Sequence, residues 1–359
     1  VLFVAAVFGL VACDKTPSDD VPKYTETDLF WQTPSVAEVV YEIDSNGLSG
    51  VELEMLSSLQ GIVAKTSAAI YVAYSGESKV WKQMLTDDYG AKIVKVSDPW
   101  QLVEMFLPYI ADNGYVLYRS TNEKGVSQLD QSVNYATTVA GADKYLIVSE
   151  SLESKAQQLG LTKKKDVRES NTEEIFTEYK NKLTTSVLVH QNPKKWTLRD
   201  YAVAAGAMCF YGDYYDGSNV TADIFAWADN CAPVLGWTEN ELGFVSNASI
   251  HNKITVAADW SSNLSLYSGL ESGPLANVQR PKLTKQNKHY VAIVMSDGDN
   301  VQWMNNGFAT EQRFFGSDKR GNFQRGLLRP DCTICRRKRS STCTATLRQT
   351  ITLSQVRRA

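Results

Sequence analysis

The chain is poor in histidine and cysteine, nearly balanced in charge, and free of long apolar runs. Its 359 residues include three histidines, His190, His251 and His289, and none stands at ligand spacing from another. No His-Glu-x-x-His signature is present, which argues against zinc proteolysis. A Gly-rich phosphate loop and a Gly-x-Ser-x-Gly elbow are also missing. Their absence disfavours nucleotide binding and hydrolysis by a serine nucleophile. Six cysteines are too few for a disulfide framework in a chain of this length. Cys209 and Cys231 can pair with each other or simply be buried. A formal charge of −3, with a pI near 5.8, argues against nucleic acid as a partner. No apolar run reaches the roughly 18 residues that a membrane-spanning helix needs.

What is present is the composition of a globular protein, 43% hydrophobic, 21% charged and 10% aromatic. The length suits two or three domains. The charge is unevenly spread. Residues 324–359 hold eight Arg, one Lys and one acid, a net of +8, so the rest of the chain carries −11. This tail has no aromatic residue and no periodicity. It fits either a basic arm for an anionic partner or an out-of-frame or disordered segment, and the second is the expectation here. Cys332-x-x-Cys335 lacks the paired second cluster of a zinc site, so no metal is assigned.

At the other end, residues 1–13 run apolar to Leu10-Val11-Ala12-Cys13. This reads as a lipoprotein signal peptide with Cys13 as the lipidated residue, and residues 14–27 as a tether. A lipid there would hold the protein to a membrane without a spanning helix. The expected location is the bacterial cell envelope, lipid-anchored to the outer membrane or exported.

From residue 28 the pattern alternates helix and strand. Helical spacing marks Val51–Lys65, Pro99–Ala111, Ser132–Val139, Thr172–Leu183 and Leu198–Phe210. Pro108 should end the second of these early. Strands are expected at Ala69–Tyr74, Tyr115–Tyr118, Lys144–Val148, Ser186–Val189, Ala232–Trp237, Ile254–Trp260 and Tyr290–Met295. This alternation predicts an α/β fold with parallel sheets built from βαβ units. Residues 28–271 form an N-terminal α/β region of about three small subdomains. Residues 272–288, polar and rich in Pro, Lys, Gln and Asn, read as a linker. Residues 289–323 begin a new domain. No repeat of fixed period is visible.

In parallel α/β folds, functional side chains gather at the carboxyl ends of strands. Three strands here end in acidic segments. The sharpest is Ser296-Asp297-Gly298-Asp299-Asn300-Val301-Gln302-Trp303. Asp297 and Asp299 can converge because Gly298 lets the backbone turn. Such a pair could act as acid and base on a sugar, or hold a hard cation. The other two are Asp259-Trp260 and the segment Trp237-Thr238-Glu239-Asn240-Glu241. Their acids could equally be helix caps or solvated loop residues. Trp237 and Trp260 could be core aromatics or could line a carbohydrate surface.

These segments resemble the GxGYxYP family of glycoside hydrolase-like proteins. Tyr290–Trp303 is similar to the start of that family's C-terminal domain. Leu59-Gln60-Gly61 with Ile70-Tyr71 resembles its first N-terminal segment, and Ser132–Thr137 its second. Pro233–Trp237 and Ala258–Ser265 resemble its third. The Gly-x-Gly-Tyr-x-Tyr-Pro motif itself is absent, so the TIM-barrel-like C-terminal domain is expected to be truncated and the chain inactive as it stands. The resemblance implies a surface protein that acts on poly- or oligosaccharides. Asp297 and Asp299 would be catalytic. Asn300, Gln302, Trp303, Asp259, Trp260, Glu239 and Trp237 would bind substrate. No cofactor is implied, and the sequence leaves oligomeric state open. Two alternatives are a non-catalytic glycan-binding lipoprotein and a metal-dependent polysaccharide deacetylase.

Overall fold

The computed structural model describes residues 31–270 apart from 32, 78, 124–127 and 213–218. Beyond them it describes 287, 294–295, 301–314, 316–319 and 326–327. Cys13, Asp297, Asp299, Asn300 and nearly all of the basic tail therefore lie outside the described residues.

Three parallel sheets follow one another along the chain. The first holds β1 (Val36–Asp44), β2 (Ala68–Ala73) and β3 (Lys92–Val96), linked by α1 (Gly50–Ala64) and α2 (Lys79–Asp87) and followed by α3 (Pro99–Met105). The second holds β4 (Gly114–Tyr118), β5 (Leu146–Ser149) and β6 (Thr162–Asp166), with α4 (Ser132–Asp143), α5 (Glu153–Gln158) and α6 (Thr172–Tyr179). The third holds β7 (Leu188–His190), β8 (Met208–Phe210), β9 (Pro233–Gly236) and β10 (Ile254–Ala257), with α7 (Arg199–Ala205), α8 (Asn219–Trp227), α9 (Glu241–Ile250) and α10 (Leu264–Tyr267). A last pair, β11 (Val294–Met295) and β12 (Gly326–Leu327), flanks α11 (Val301–Asn305) and is also parallel.

All three units share one topology. The strand orders are β2-β1-β3, β5-β4-β6 and β10-β9-β7-β8. In each, the first strand is central, the second pairs on one side and the third on the other. The repeat thus exists in the architecture although no period shows in the sequence. The central strand β4, Gly-Tyr-Val-Leu-Tyr, is buried throughout. That is why its sequence is a plain apolar run. Its neighbour β6, Thr-Lys-Lys-Lys-Asp, is a mostly exposed edge strand. Lysines on an edge oppose pairing with other chains, and they also hide the strand from a hydrophobicity reading.

One expected helix is corrected. Leu198–Phe210 is helical only over Arg199–Ala205, and Met208–Phe210 is a strand. Gly206, at φ 66°, closes the helix in the left-handed conformation, with its N–H on the Ala202 carbonyl. The next three residues then pair with β7, Val189 opposite Cys209. Cys209 is buried, Cys231 is exposed, and both are free thiols.

The first helices of the three units, α1, α4 and α7, pack together at the centre. Helix α1 begins with a capping box, Ser49 and Glu52. It is buried along almost its whole length, including polar Glu54, Ser57, Ser58 and Gln60. Gly61 allows close contact: a Cβ there would stand 2.4 Å from the Asp200 carbonyl oxygen and 2.6 Å from Val203 Cβ on α7.

The polar groups at this junction are paired. The Glu54 carboxylate accepts hydrogen bonds from Tyr118 (2.6 Å), Ser120 (2.7 Å) and Asn122 (2.7 Å). Burial nonetheless raises its pKa, and the charge of Arg199 opposes that rise. Arg199 is fully buried and donates to Asn134 Oδ1 (2.8 Å) and Thr137 Oγ1 (3.1 Å) of α4.

Candidate functional site

The strand order of the third unit reverses between β7 and β9. Ligand crevices in open α/β sheets form outside the carboxyl ends at such a point. Here β7 ends at His190 and β9 ends at Gly236, side by side. Gly236 has φ 128°, and a Cβ on it would stand 1.7 Å from the His190 carbonyl oxygen. Only glycine fits there.

His190 is fully buried. Its ring lies against Tyr211 (4.8 Å) and Phe244 (4.9 Å), and its Nε2 accepts the Gly212 N–H at 3.3 Å. Burial lowers its pKa to about 3. It is a neutral structural group at neutral pH and braces the strand ends.

The exposed chemistry lies at the end of β10. Asp259 is buried, and its carbonyl accepts from Gln191 Nε2 (3.0 Å) and Thr197 Oγ1 (2.5 Å). These bonds tie the β10 end to the loop after β7. From that loop Lys195 ion-pairs with Asp259 Oδ2. Asp259 Oδ1 has no hydrogen-bond partner among the described residues. The same ammonium sits 4.3 Å from the Trp260 ring centroid, a cation–π contact. Arg199 holds the loop from beneath, donating to the carbonyls of Lys195 (2.9 Å) and Asn192 (3.4 Å). The Trp260 side chain stands at the surface, the residue 51% exposed.

Helix α11 meets this edge. Gln302 Oε1 accepts the Trp260 backbone N–H at 2.8 Å, and Val301 is buried in the cluster that holds Ala258 and Leu264. Trp303 is 44% exposed, with Phe314 edge-on at 5.0 Å. The structure thus brings together Asp259, Trp260 and Gln302, and sets Trp303 on the same short helix. It gives Gln302 a task that the sequence reading did not anticipate, holding the two segments together. Trp237 is half-buried and packs edge-on against Phe244 at 5.6 Å. Glu239 is exposed in the turn before α9, whose N-cap is Asn240. Neither contacts Asp259 or Trp260 through any bond seen here.

Sequence reasoning missed Lys195, Gln191 and Thr197. The available signal was position: all three follow β7, a central strand, at the same carboxyl edge. The Trp260 indole stands half-exposed beside the paired Lys195 ammonium and Asp259 carboxylate, a candidate binding surface. It suits stacking against a ring and hydrogen bonding to hydroxyls. Among the described residues no group of three or more His, Cys, Asp or Glu could hold a metal ion.

Four models of one family match the chain in sequence order. The GxGYxYP_N first domain matches residues 39–107, the second domain 113–183 and the third domain 184–269. The "GxGYxYP putative glycoside hydrolase C-terminal domain" matches residues 287–327. The chain belongs to the GxGYxYP family. The three N-terminal matches coincide with the three sheet units, and the fourth covers β11, α11 and β12. Among solved structures, the GxGYxYP chain is similar to one described as a "putative hydrolase" from Bacteroides thetaiotaomicron VPI-5482. The two share 26% identity at a TM-score of 0.74, over 88% of this chain and 62% of that one. This chain therefore spans less than two thirds of that protein. No curated protein matches it. Nothing in these comparisons supports the deacetylase reading.

Proposed function

We propose that this GxGYxYP protein binds and hydrolyses glycans, at a site between the carboxyl edge of its third N-terminal unit and its C-terminal domain. The observation that carries the reading is the Trp260–Gln302 bond. It sets the Asp259–Trp260–Lys195 surface against the helix that follows Asp297 and Asp299 directly. A pyranose face would stack on Trp260 and Trp303, and Asp259 Oδ1 would accept a sugar hydroxyl. Asp297 and Asp299 would supply the two carboxylates that glycoside hydrolysis requires, and Asn300 would contact substrate hydroxyls. Lipidation at Cys13 would place this activity at the cell surface, next to polysaccharide substrates.

The test is release of reducing ends from a panel of polysaccharides by the protein. Asp297→Asn and Asp299→Asn should each lower the rate about 100-fold or more, the scale of acid–base catalysis. In the present chain, Trp260→Ala should abolish oligosaccharide-dependent quenching of tryptophan fluorescence. Binding without any turnover would instead favour the non-catalytic glycan-binding protein, in which the Lys195–Asp259 pair only shapes a docking surface.

A further inference from the structure

We propose that Glu77 is a proton-sensitive latch that docks helix α11 onto the N-terminal units, and through it sets Gln302 and Trp303 in place. Glu77 lies just beyond β2, far in sequence from the groups it meets. Its carboxylate accepts from Tyr267 (2.5 Å) on α10 and from Tyr71 (2.8 Å) on β2. Ser262 (3.2 Å) and Asn263 (3.2 Å) donate from the segment after β10, and Asn305 Nδ2 (3.3 Å) donates from α11.

The same corner carries three further ties. The Glu77 and Asn306 backbones form an antiparallel bridge. The indole N–H of Trp81 donates to the Asn305 carbonyl at 2.9 Å. Asn305 Nδ2 also reaches the Ser262 carbonyl at 3.4 Å. One carboxyl group thus joins the first unit, the end of the third unit and the C-terminal domain.

Every one of these donors is neutral. The other titratable groups around the corner are Tyr71 and Tyr74 from the first unit, Tyr267 on α10 and Asp200 on α7. Glu42 on β1 is already paired with Lys82 of α2. The described residues of α11 carry no charge, and among the described residues no cation pairs with Glu77. Burial raises the pKa of Glu77 to about 7, and the hydrogen bonds from Tyr267, Asn263, Tyr71 and Ser262 only moderate the rise. Burial likewise raises Tyr71, with the Glu77 charge adding to it, and Tyr74, with the charges of Asp200 and Glu77 adding, so both stay protonated and Tyr71 remains a donor to Glu77.

The sign follows from linkage. The docked state holds the proton up to about pH 7. An undocked, hydrated Glu77 would lose it near its ordinary value of 4.5. Docking therefore favours the protonated form, and raising the pH through 7 favours release. With one proton linked between those two values, the opening equilibrium rises about tenfold from pH 6 to pH 8.

The experiment is hydrogen exchange on the full chain, read as protection factors for amides 301–306 at pH 6, 7 and 8. The wild-type protein should lose about tenfold in protection between pH 6 and 8, after correction for intrinsic exchange. Glu77→Gln, a mimic of the protonated carboxyl, should show level protection. Tyr267→Phe removes the shortest hydrogen bond to the carboxylate and should move the midpoint to higher pH. If Glu77→Gln does not fold, Tyr267→Phe decides. Level protection in the wild type, an unchanged fall in Glu77→Gln, or an unmoved midpoint in Tyr267→Phe would each overturn the proposal. The readout needs no glycan, so it stands apart from the proposed hydrolase activity.

Discussion

Gly61→Ala tests whether the three units share one helical junction. At an ordinary helix interior this change stabilises a protein by about 1 kcal/mol. Here the added methyl would meet the Asp200 carbonyl at 2.4 Å, Val203 Cβ at 2.6 Å and Val203 Cγ1 at 2.9 Å. Two of these atoms are a backbone oxygen and a Cβ, which cannot swing aside as a side-chain tip can. Helix α7 must move off α1 by several tenths of an ångström. Overpacking of this kind costs about 1–3 kcal/mol, and a backbone obstacle puts the cost at the upper end. After the helix-propensity gain, the net loss is about 2 kcal/mol. At a urea slope of about 2 kcal/mol/M the midpoint falls by about 1 M. The assay is urea unfolding followed by far-UV circular dichroism, with Gly141→Ala as the matched control. A Cβ at Gly141 meets its nearest heavy atom, Gly206 Cα, at 3.2 Å, a gap that a small shift opens. Its effect should stay within about 1 kcal/mol. If Gly61→Ala is as stable as the wild type, α1 and α7 are not in the contact described.

His190 predicts an acid-labile third unit. It stays neutral to about pH 3 in the fold, whereas in the unfolded chain it protonates below 6.5. Its contribution is therefore full above pH 6.5 and is lost as the pH falls toward 3, by up to about 5 kcal/mol. Glu77 acts oppositely: its raised pKa costs stability as pH rises from 4.5 to 7, by up to about 3 kcal/mol. Urea midpoints at pH 7.5, 6, 5 and 4 in a Glu77→Gln background should decline steadily. Adding His190→Phe should flatten that decline, and an unflattened curve would exclude His190 as its source. Arg199→Met should cost about 3–5 kcal/mol, since it strips the buried Glu54 of its nearby cation and frees the 192–195 loop. A thermal midpoint within 2 °C of wild type would contradict that role.

Much of the architecture was legible along the chain, because backbone geometry sets local periodicity within about ten residues. Helix α1 shows its 3.6-residue spacing, and β2, β4 and β5 read as buried strands from their apolar runs. Pro108 ends α3 as the ring chemistry requires. Strand β6 escaped notice for a physical reason: it is lysine-rich because it faces water. Strands β1 and β3 also went unread, although β1 is the central strand of its sheet. Strand β8 was hidden because Ala202–Phe210 is apolar throughout. The helix ends inside that run only through the left-handed turn at Gly206.

The site was half legible for the same reason. Asp259, Trp260, Gln302 and Trp303 could be named as residue types suited to sugars at strand ends. Their meeting, and the part of Lys195, could not. Lys195 and Asp259 are 64 residues apart, and Glu77 and Asn305 are 228 apart. Which strand ends lie side by side depends on the order β10-β9-β7-β8. How closely the units approach depends on single contacts such as Gly61 on Asp200. The amino-acid sequence by itself determined where helices and strands form and which strand ends carry polar groups, because those are local matters of backbone geometry and solvation. Tertiary structure alone decided which of those groups converge, because that follows from packing three βαβ units around one buried helical junction.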